Sequence, residues 1–185
     1  MPSPIAEKEL AGTEDGTPEY CSCEVLVLGC GNELFGDDGF GPAVAKALAG
    51  RPAVARRLRG RPESQGRLFA MDVGTAVRQV LFDVLLSPVR PRRIVVVDAV
   101  DLGRQPGEVW TIEAKDLPEV KLDDFSMHQL PTSNLLRELS EAGGVKVTCV
   151  VGQVSGLPSH VKPGLSAAVR GAVERAADVI IQECR

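Results

Sequence analysis

Short apolar runs alternate with longer helical segments along most of the chain. Runs with the length and composition of strands lie at residues 24–29, 67–71, 94–97, 108–112 and 146–151. Helices are expected, from apolar spacing, caps and flanking Gly or Pro, at residues 39–50, 75–86, 126–142 and 165–182. Strands that alternate with helices are typical of a mainly parallel sheet between helical layers. The pattern therefore predicts a three-layer α/β/α fold.

Two details refine this prediction. Residues 108–112 alternate in polarity, which favours a strand at the edge of the sheet. Ser126 and Gln129 have the spacing of a capping box, so the third helix is expected to begin there, with His128 in its first turn. Thr75 is a candidate cap for the second helix.

Residues 1–22 differ in composition from the rest of the chain. They are rich in Pro, Glu, Thr and Gly, so we expect a flexible N-terminal tail. Residues 23–185 suit a single domain, and a hydrophobic content of 44% is enough for its core. Five arginines lie within residues 51–61. They favour a solvated linker, with a partner-binding patch as the alternative.

Charge and cysteine content narrow the function classes. The net charge of −4 gives no reason to expect nucleic acid as a partner, and no apolar run approaches the roughly 20 residues of a membrane span. Five cysteines without regular spacing, and an N-terminus without a secretory signal, predict a reduced, cytoplasmic protein. A metal site of Cys21, Cys23 and Cys30 is an alternative that lacks an evident fourth ligand.

The most informative stretch of the sequence is VLVLGCGNELFGDDGFG, from residue 25 to residue 41. An apolar strand is broken by Gly29 and Gly31, and a loop then leads to Asp37 and Asp38 at a helix start. Open α/β sheets place their sites just past the carboxyl ends of strands. Asp38 is therefore a candidate site residue. A simple helix cap is the alternative, because Asp is favoured at helix N-termini.

Three residues at element boundaries could share one crevice. Asp38 follows the first strand, Asp98 ends the third strand, and His128 opens the third helix. Two carboxylates and one imidazole suit a divalent transition metal with open coordination positions, and a helix N-terminus favours the neutral imidazole. The alternatives are that Asp98 accepts loop N–H bonds and that His128 is structural.

Other chemistries match the sequence less well. Leu34 stands where a dinucleotide fingerprint requires its third glycine. Ser155 lies outside a G-x-S-x-G elbow, and Cys30 has no evident base beside it in the sequence. His160 lies in a Pro-flanked loop beside Lys162 and is expected to be exposed.

Four segments together resemble one known family. The segments GCGNELFGDDGFG, DVGTA, VVDAVDLG and SMHQLP resemble those of the maturation endopeptidases of NiFe-hydrogenase large subunits. The segments SMHQLPTSNLLREL and VDAVDLGRQPGEV resemble the branch that serves coenzyme F420-reducing hydrogenases. The resemblance covers about residues 24–182 and implies a twisted, mostly parallel five-stranded sheet with one antiparallel strand. It also implies that Asp38, Asp98 and His128 are the metal ligands and the catalytic residues.

The resemblance implies a nickel-dependent, aspartic-type endopeptidase. Such an enzyme removes a C-terminal extension from the large-subunit precursor after nickel insertion. The nickel is transient, arrives with the precursor and serves as the recognition element, and zinc or cadmium is expected to substitute for it. Either the metal or a carboxylate would activate the water. The alternatives are a nucleotide- or phosphate-binding α/β module and a non-catalytic nickel chaperone.

Overall fold

The sheet contains five strands in the part of the chain that the structure describes. This structure is a computed structural model, and it describes residues 16–51, 68–113, 116, 130–141 and 143–184. The strands are β1 (Val25–Cys30), β2 (Leu68–Gly74), β3 (Arg93–Val100), β4 (Val109–Glu113) and β5 (Lys146–Gln153). Their order is β2-β1-β3-β5-β4. The first four in this order are parallel, and β4 pairs antiparallel with β5 at the edge.

The helices cover both faces of this sheet, as the sequence predicts. They are α1 (Phe40–Ala49), α2 (Val77–Leu86), α3 (Leu130–Glu141) and α4 (Ala167–Glu183). Apolar side chains of α1 and α4 form one core cluster with the sheet, and those of α2 and α3 form the other. Every residue of β1 is buried, because a central parallel strand is covered on both faces. The predicted fold class is confirmed.

The N-terminal boundary of the folded part lies earlier than the composition suggested. Glu19–Ser22 form a short 3-10 helix, and both Tyr20 and Cys21 are buried in the α2/α3 cluster. The Tyr20 hydroxyl donates a hydrogen bond to Asp83 Oδ2 of α2 at 2.7 Å. A single aromatic ring with a polar partner thus fixes a segment that was expected to belong to the flexible tail. The rest of that expected tail, up to residue 15, lies outside the described residues.

Some local expectations differ from the structure. Thr75 does not cap the second helix: Ala76 holds the N-cap position, without a side-chain hydrogen bond. The expected capping box of Ser126 and Gln129 lies outside the described residues. All five cysteines are free. Within the described residues no three His, Cys, Asp or Glu side chains are grouped closely enough to hold a metal, so the thiol site with Cys21 is not formed.

No helix in the described ranges combines the length and the apolar character needed to cross a membrane.

Candidate active site

The candidate site lies at the carboxyl edge of the sheet, between β1 and β3. The chain leaves β1 towards β2 on one side and later returns to β3 on the other side, so the strand order reverses at this point. The helices α1 and α2 that make these two connections lie on opposite faces. Open α/β sheets place a binding crevice at such a point, and the structure brings Asp38 and Asp98 close together there.

Asp98 is a buried carboxylate within β3. The strand continues two residues past it to Val100, so Asp98 does not end the strand as expected. Its neighbours on the same face include Val96 and Val100, within the α2/α3 core cluster. One carboxylate oxygen, Oδ1, accepts a hydrogen bond from the backbone N–H of Ala99 at 2.7 Å. The donor, Ala99, lies within β3 and not in a loop as the alternative required, and this one bond does not balance the burial of the carboxylate.

Because its burial is not offset by hydrogen bonds, the Asp98 side chain has a raised pKa. The pKa of Asp98 is raised from 3.8 to about 8: burial is the largest cause, the Ala99 N–H acts in the opposite direction, and the negative charge of Asp38 adds to the rise. Desolvation disfavours the charged form, and a nearby like charge acts in the same direction. The two carboxylates therefore form a pair that a cation would stabilise.

Asp38 is held by a tight turn between β1 and α1. Gly36–Gly39 form a 3-10 helix, and Asp38 within it is only 8% exposed. Its Oδ2 accepts a hydrogen bond from the backbone N–H of Asn32 at 2.8 Å. The N-cap position of α1 belongs to Gly39, so Asp38 is not the N-cap residue of that helix.

The glycines of this stretch make the tight turn possible. Gly31 has a φ of +120°, and a Cβ there would collide with the backbone carbonyl of Asp38. A Cβ on Gly29 would collide with the carbonyl of Gly41 in α1. Both glycines thus allow the chain to pack against itself. This packing accounts for both glycines without a bound dinucleotide or phosphate. The two carboxylates at the helix start would also repel such an anion.

Asp37 has a structural role that no sequence pattern indicated. Asp37 is only 2% exposed. Its Oδ2 accepts from the backbone N–H of Ser155 at 2.9 Å, and its Oδ1 accepts from that of Ser166 at 2.6 Å. Asp37 thereby ties the loop between β5 and α4 to the loop that carries Asp38. No local pattern could reveal this, because the partners are more than a hundred residues away in sequence.

Gln153 is a second buried polar residue that the sequence did not single out. Its Oε1 accepts from the backbone N–H groups of Leu102 and Arg104, at 3.0 and 3.2 Å. Its Nε2 donates to Asp101 Oδ1 at 2.9 Å. Gln153 therefore holds the loop that follows β3, next to Asp98.

The candidate nucleophiles are poorly placed for covalent chemistry. Cys30 is buried, and desolvation raises the pKa of its thiol well above the usual value, with a further contribution from Asp98. Such a thiol stays protonated and unreactive. The Ser155 hydroxyl lies 3.0 Å from the Ser166 hydroxyl, which cannot serve as a general base.

His128 lies outside the described residues, so the structure does not place its side chain. The helix α3 begins at Leu130, two positions later, and its side chains belong to the core cluster on the face that carries Asp98. A short turn joins the end of α3 to β5, which starts at the amino edge, so α3 runs from the site edge towards the amino edge. His160 is exposed, as expected.

Known proteins match this chain over most of its length. The family model described as hydrogenase maturation protease matches residues 52–183. A protein of Methanocaldococcus jannaschii assigned to the hydrogenase maturation proteases is 31% identical over 88% of this chain and 97% of its own length. The coenzyme F420 hydrogenase subunit delta of Methanothermobacter thermautotrophicus is 34% identical over 86% of this chain and 94% of its own.

A solved structure agrees with these sequence matches. The hydrogenase maturating endopeptidase HybD of Escherichia coli superimposes with a TM-score of 0.66 at 25% identity, covering 86% of this chain and 91% of that chain. Matches in sequence and in fold therefore coincide, and they include the branch that the motifs suggested. The chain belongs to the hydrogenase maturation protease family.

Proposed function

We propose that this chain removes a C-terminal extension from the precursor of a NiFe-hydrogenase large subunit, and that it does so after nickel has entered that precursor. Family membership supports proteolytic processing of a hydrogenase precursor. The observation that carries the finer proposal is the pair of buried carboxylates, Asp38 and Asp98, at the carboxyl edge of the sheet. A pair of buried acids is a natural receptor for a divalent cation carried by the substrate.

Electrostatics explains why such a site would recognise a loaded precursor. Without a cation, burial and the charge of Asp38 hold the pKa of Asp98 at about 8. A divalent ion close to both carboxylates would favour their charged forms and release the proton. In this proposal His128 supplies a third, neutral ligand. Because three protein ligands leave coordination positions vacant, the precursor can keep its own ligands to nickel while it is bound.

The chemistry in this proposal is hydrolysis of one peptide bond. A water molecule attacks the scissile carbonyl carbon, the C–N bond breaks, and the leaving amine takes up a proton. Either Asp98 or Asp38 can accept the proton from water, or the nickel in the precursor can lower the pKa of that water. Covalent catalysis is disfavoured because the Cys30 thiol is buried and protonated. Reagents directed at serine or thiol nucleophiles should therefore leave the enzyme active.

The deciding experiment compares nickel-loaded and nickel-free precursor, with products identified by mass. The wild type should cut only the loaded precursor, near its C-terminus. Asp38→Asn and Asp98→Asn should each reduce the rate at least about a hundredfold while keeping the fold. The matched control is Asp101→Asn, which changes an exposed acid three residues from Asp98 and keeps an acceptor for Gln153.

The outcomes separate the proposal from its alternatives. Equal cutting of both precursors would exclude nickel as the recognition element. Nickel transfer without any cut would instead indicate a nickel chaperone. Normal processing by Asp38→Asn or Asp98→Asn would show that the altered carboxylate is not part of the site.

A further inference from the structure

Exposed apolar side chains are concentrated at the edge of the sheet that carries the candidate site. In the described ranges, six large apolar side chains are more than a third exposed: Leu34, Leu86, Val89, Leu102, Leu157 and Val161. Four of these six lie on loops at the carboxyl edge. The other two lie near the amino edge: Leu86 is the last residue of α2, and Val89 lies between α2 and β3. Clustered apolar exposure at one end of a molecule marks a contact surface rather than random exposure.

Three of these side chains lie on two loops that are joined by hydrogen bonds. Leu34 belongs to the loop before Asp38, and Leu157 and Val161 belong to the loop between β5 and α4. Their exposed fractions are 50%, 48% and 60%. We call Leu34, Leu157 and Val161 the apolar rim.

The rim is held in place by backbone and carboxylate hydrogen bonds. Lys162 N donates to the carbonyl of Leu34 at 2.8 Å, and Gly36 N donates to the carbonyl of Lys162 at 2.9 Å. These two bonds form a short parallel bridge between the loops. Asp37 adds its hydrogen bonds to Ser155 and Ser166. A surface fixed in this way loses little conformational entropy when it binds.

The turn of residues 31–37, which carries Leu34 and which we call the ridge, borders two clefts. One, of about 450 Å³, is lined by Gly36, Asp37 and the β5–α4 loop with Leu157. The other, of about 350 Å³, is lined by Leu34, Asn32 and the end of β2 at Asp72. Both clefts are open grooves that border the turn of Asp38. An extended polypeptide that reaches Asp38 would therefore lie along or across the ridge.

We propose that the apolar rim of Leu34, Leu157 and Val161 docks an apolar segment of the large-subunit precursor and so sets the affinity for that protein substrate. This inference rests on the proposed function, because it takes the precursor as the occupant. The occupant follows from continuity. Leu34 lies on the same turn as Asp38, and Lys162, next to Val161, is hydrogen-bonded to that turn, so a protein bound at Asp38 lies beside the rim. The rim extends over two loops, so it is better suited to bind a protein surface than a small molecule.

The test uses full-length protein and nickel-loaded precursor. It measures KM and kcat for cleavage, and separately the Kd for precursor binding. The rim variant is Leu34→Ser with Leu157→Ser and Val161→Ser. The matched control is Leu86→Ser with Val89→Ser, which removes exposed apolar side chains at the amino edge. Thermal unfolding and size-exclusion chromatography check that each variant folds and report its oligomeric state.

The rim variant should raise both KM and Kd by about tenfold or more with little change in kcat, whereas the control should change them by less than about twofold. Values for the rim variant within about twofold of wild type would overturn the inference, as would an equal effect of the control. Loss of wild-type self-association in the rim variant, with unchanged KM and Kd, would show instead that the rim joins copies of this chain. If the wild type binds the precursor without cutting it, the proposed function fails, and the Kd comparison still decides the inference.

Discussion

At the amino edge of the sheet Arg51 pairs with two acids of α4, whereas at the carboxyl edge two buried acids, Asp38 and Asp98, are neighbours. Arg51, just past the end of α1, donates to Glu174 and to Asp178 of α4, each at 2.6 Å. Asp38 and Asp98 are 8% and 5% exposed, and the charge of Asp38 helps to raise the pKa of Asp98. Arg51 thus has its charge compensated by acids of the same chain, whereas the buried Asp98 would be ionised more readily if a cation were bound beside it.

This difference separates structural from functional polar groups. Exposed ion pairs such as those of Arg51 contribute only about 0–1 kcal/mol to stability. A buried acid with a strongly raised pKa is costly to ionise, which makes Asp98 a candidate for a role in binding or catalysis. Asp37 is the instructive exception at that edge, because two backbone N–H groups satisfy its carboxylate.

The largest effect should appear in the pH dependence of stability of the metal-free protein. Between about pH 4 and pH 8 the unfolded chain has released the Asp98 proton, and the folded chain retains it because its pKa is about 8. Stability from this group is therefore full below about pH 4 and is lost as the pH rises to 8. The expected slope is up to about 1.4 kcal/mol per pH unit.

Denaturant unfolding at pH 5 and pH 8, with chelator present, measures this slope. Asp98→Asn cannot titrate and should lose this part of the dependence. If wild type and Asp98→Asn show the same change in the free energy of unfolding, the buried acid is already compensated in the free protein.

The next effect concerns the bonds that join the two loops. Asp37→Ala leaves two backbone N–H groups without their charged acceptor, and should lower the free energy of unfolding by about 3 kcal/mol. Arg51→Ala at the amino edge should cost about 1 kcal/mol or less. Denaturant titration at pH 7 compares the two variants. Equal losses would remove the distinction between a buried carboxylate and an exposed ion pair.

The smallest effect is expected in the binding of free metal. A site that the precursor completes should bind nickel weakly by itself, and zinc and cadmium should compete. His128→Ala should weaken binding about tenfold or more, or about 1.4 kcal/mol. Wild-type binding should weaken as the pH falls below about 8, because Asp98 must release its proton, and more steeply below about pH 6.5, where an ordinary His gains a proton.

Calorimetric titration at two pH values measures this, with His160→Ala as the matched control. Unchanged affinity in His128→Ala would exclude that residue as a ligand. Stoichiometric metal that survives chelator treatment would indicate a permanent metal instead of one delivered with the precursor.

Most of the fold could be predicted because buried parallel strands appear as continuous apolar runs. The predicted strands match the observed ones closely at the amino edge and fall short at the carboxyl edge. β3 continues through Asp98 to Val100, and β5 continues to Gln153. In both strands a buried polar or small residue interrupts the apolar run before the backbone pairing ends.

The site could be predicted only in part, for a related reason. Asp38 and Asp98 could be singled out because each follows an apolar run in the sequence, and the structure brings the two acids close together; their role as site residues stays a prediction. The contacts of Asp37, Gln153 and Tyr20 could not be found, because each depends on a partner that only the tertiary fold brings near. Local patterns contain no information about such long-range hydrogen bonds.

The turn from Gly31 to Asp38 also has a fixed length. At one end, Gly31 is packed against the backbone of Asp38, and Asn32 donates to the Asp38 carboxylate. At the other end, Gly36 is bonded to Lys162. The turn therefore acts as a spacer whose residue count matters more than most of its side chains. Replacing Glu33 should be tolerated, whereas inserting one residue beside it should displace Asp38 from Asp98.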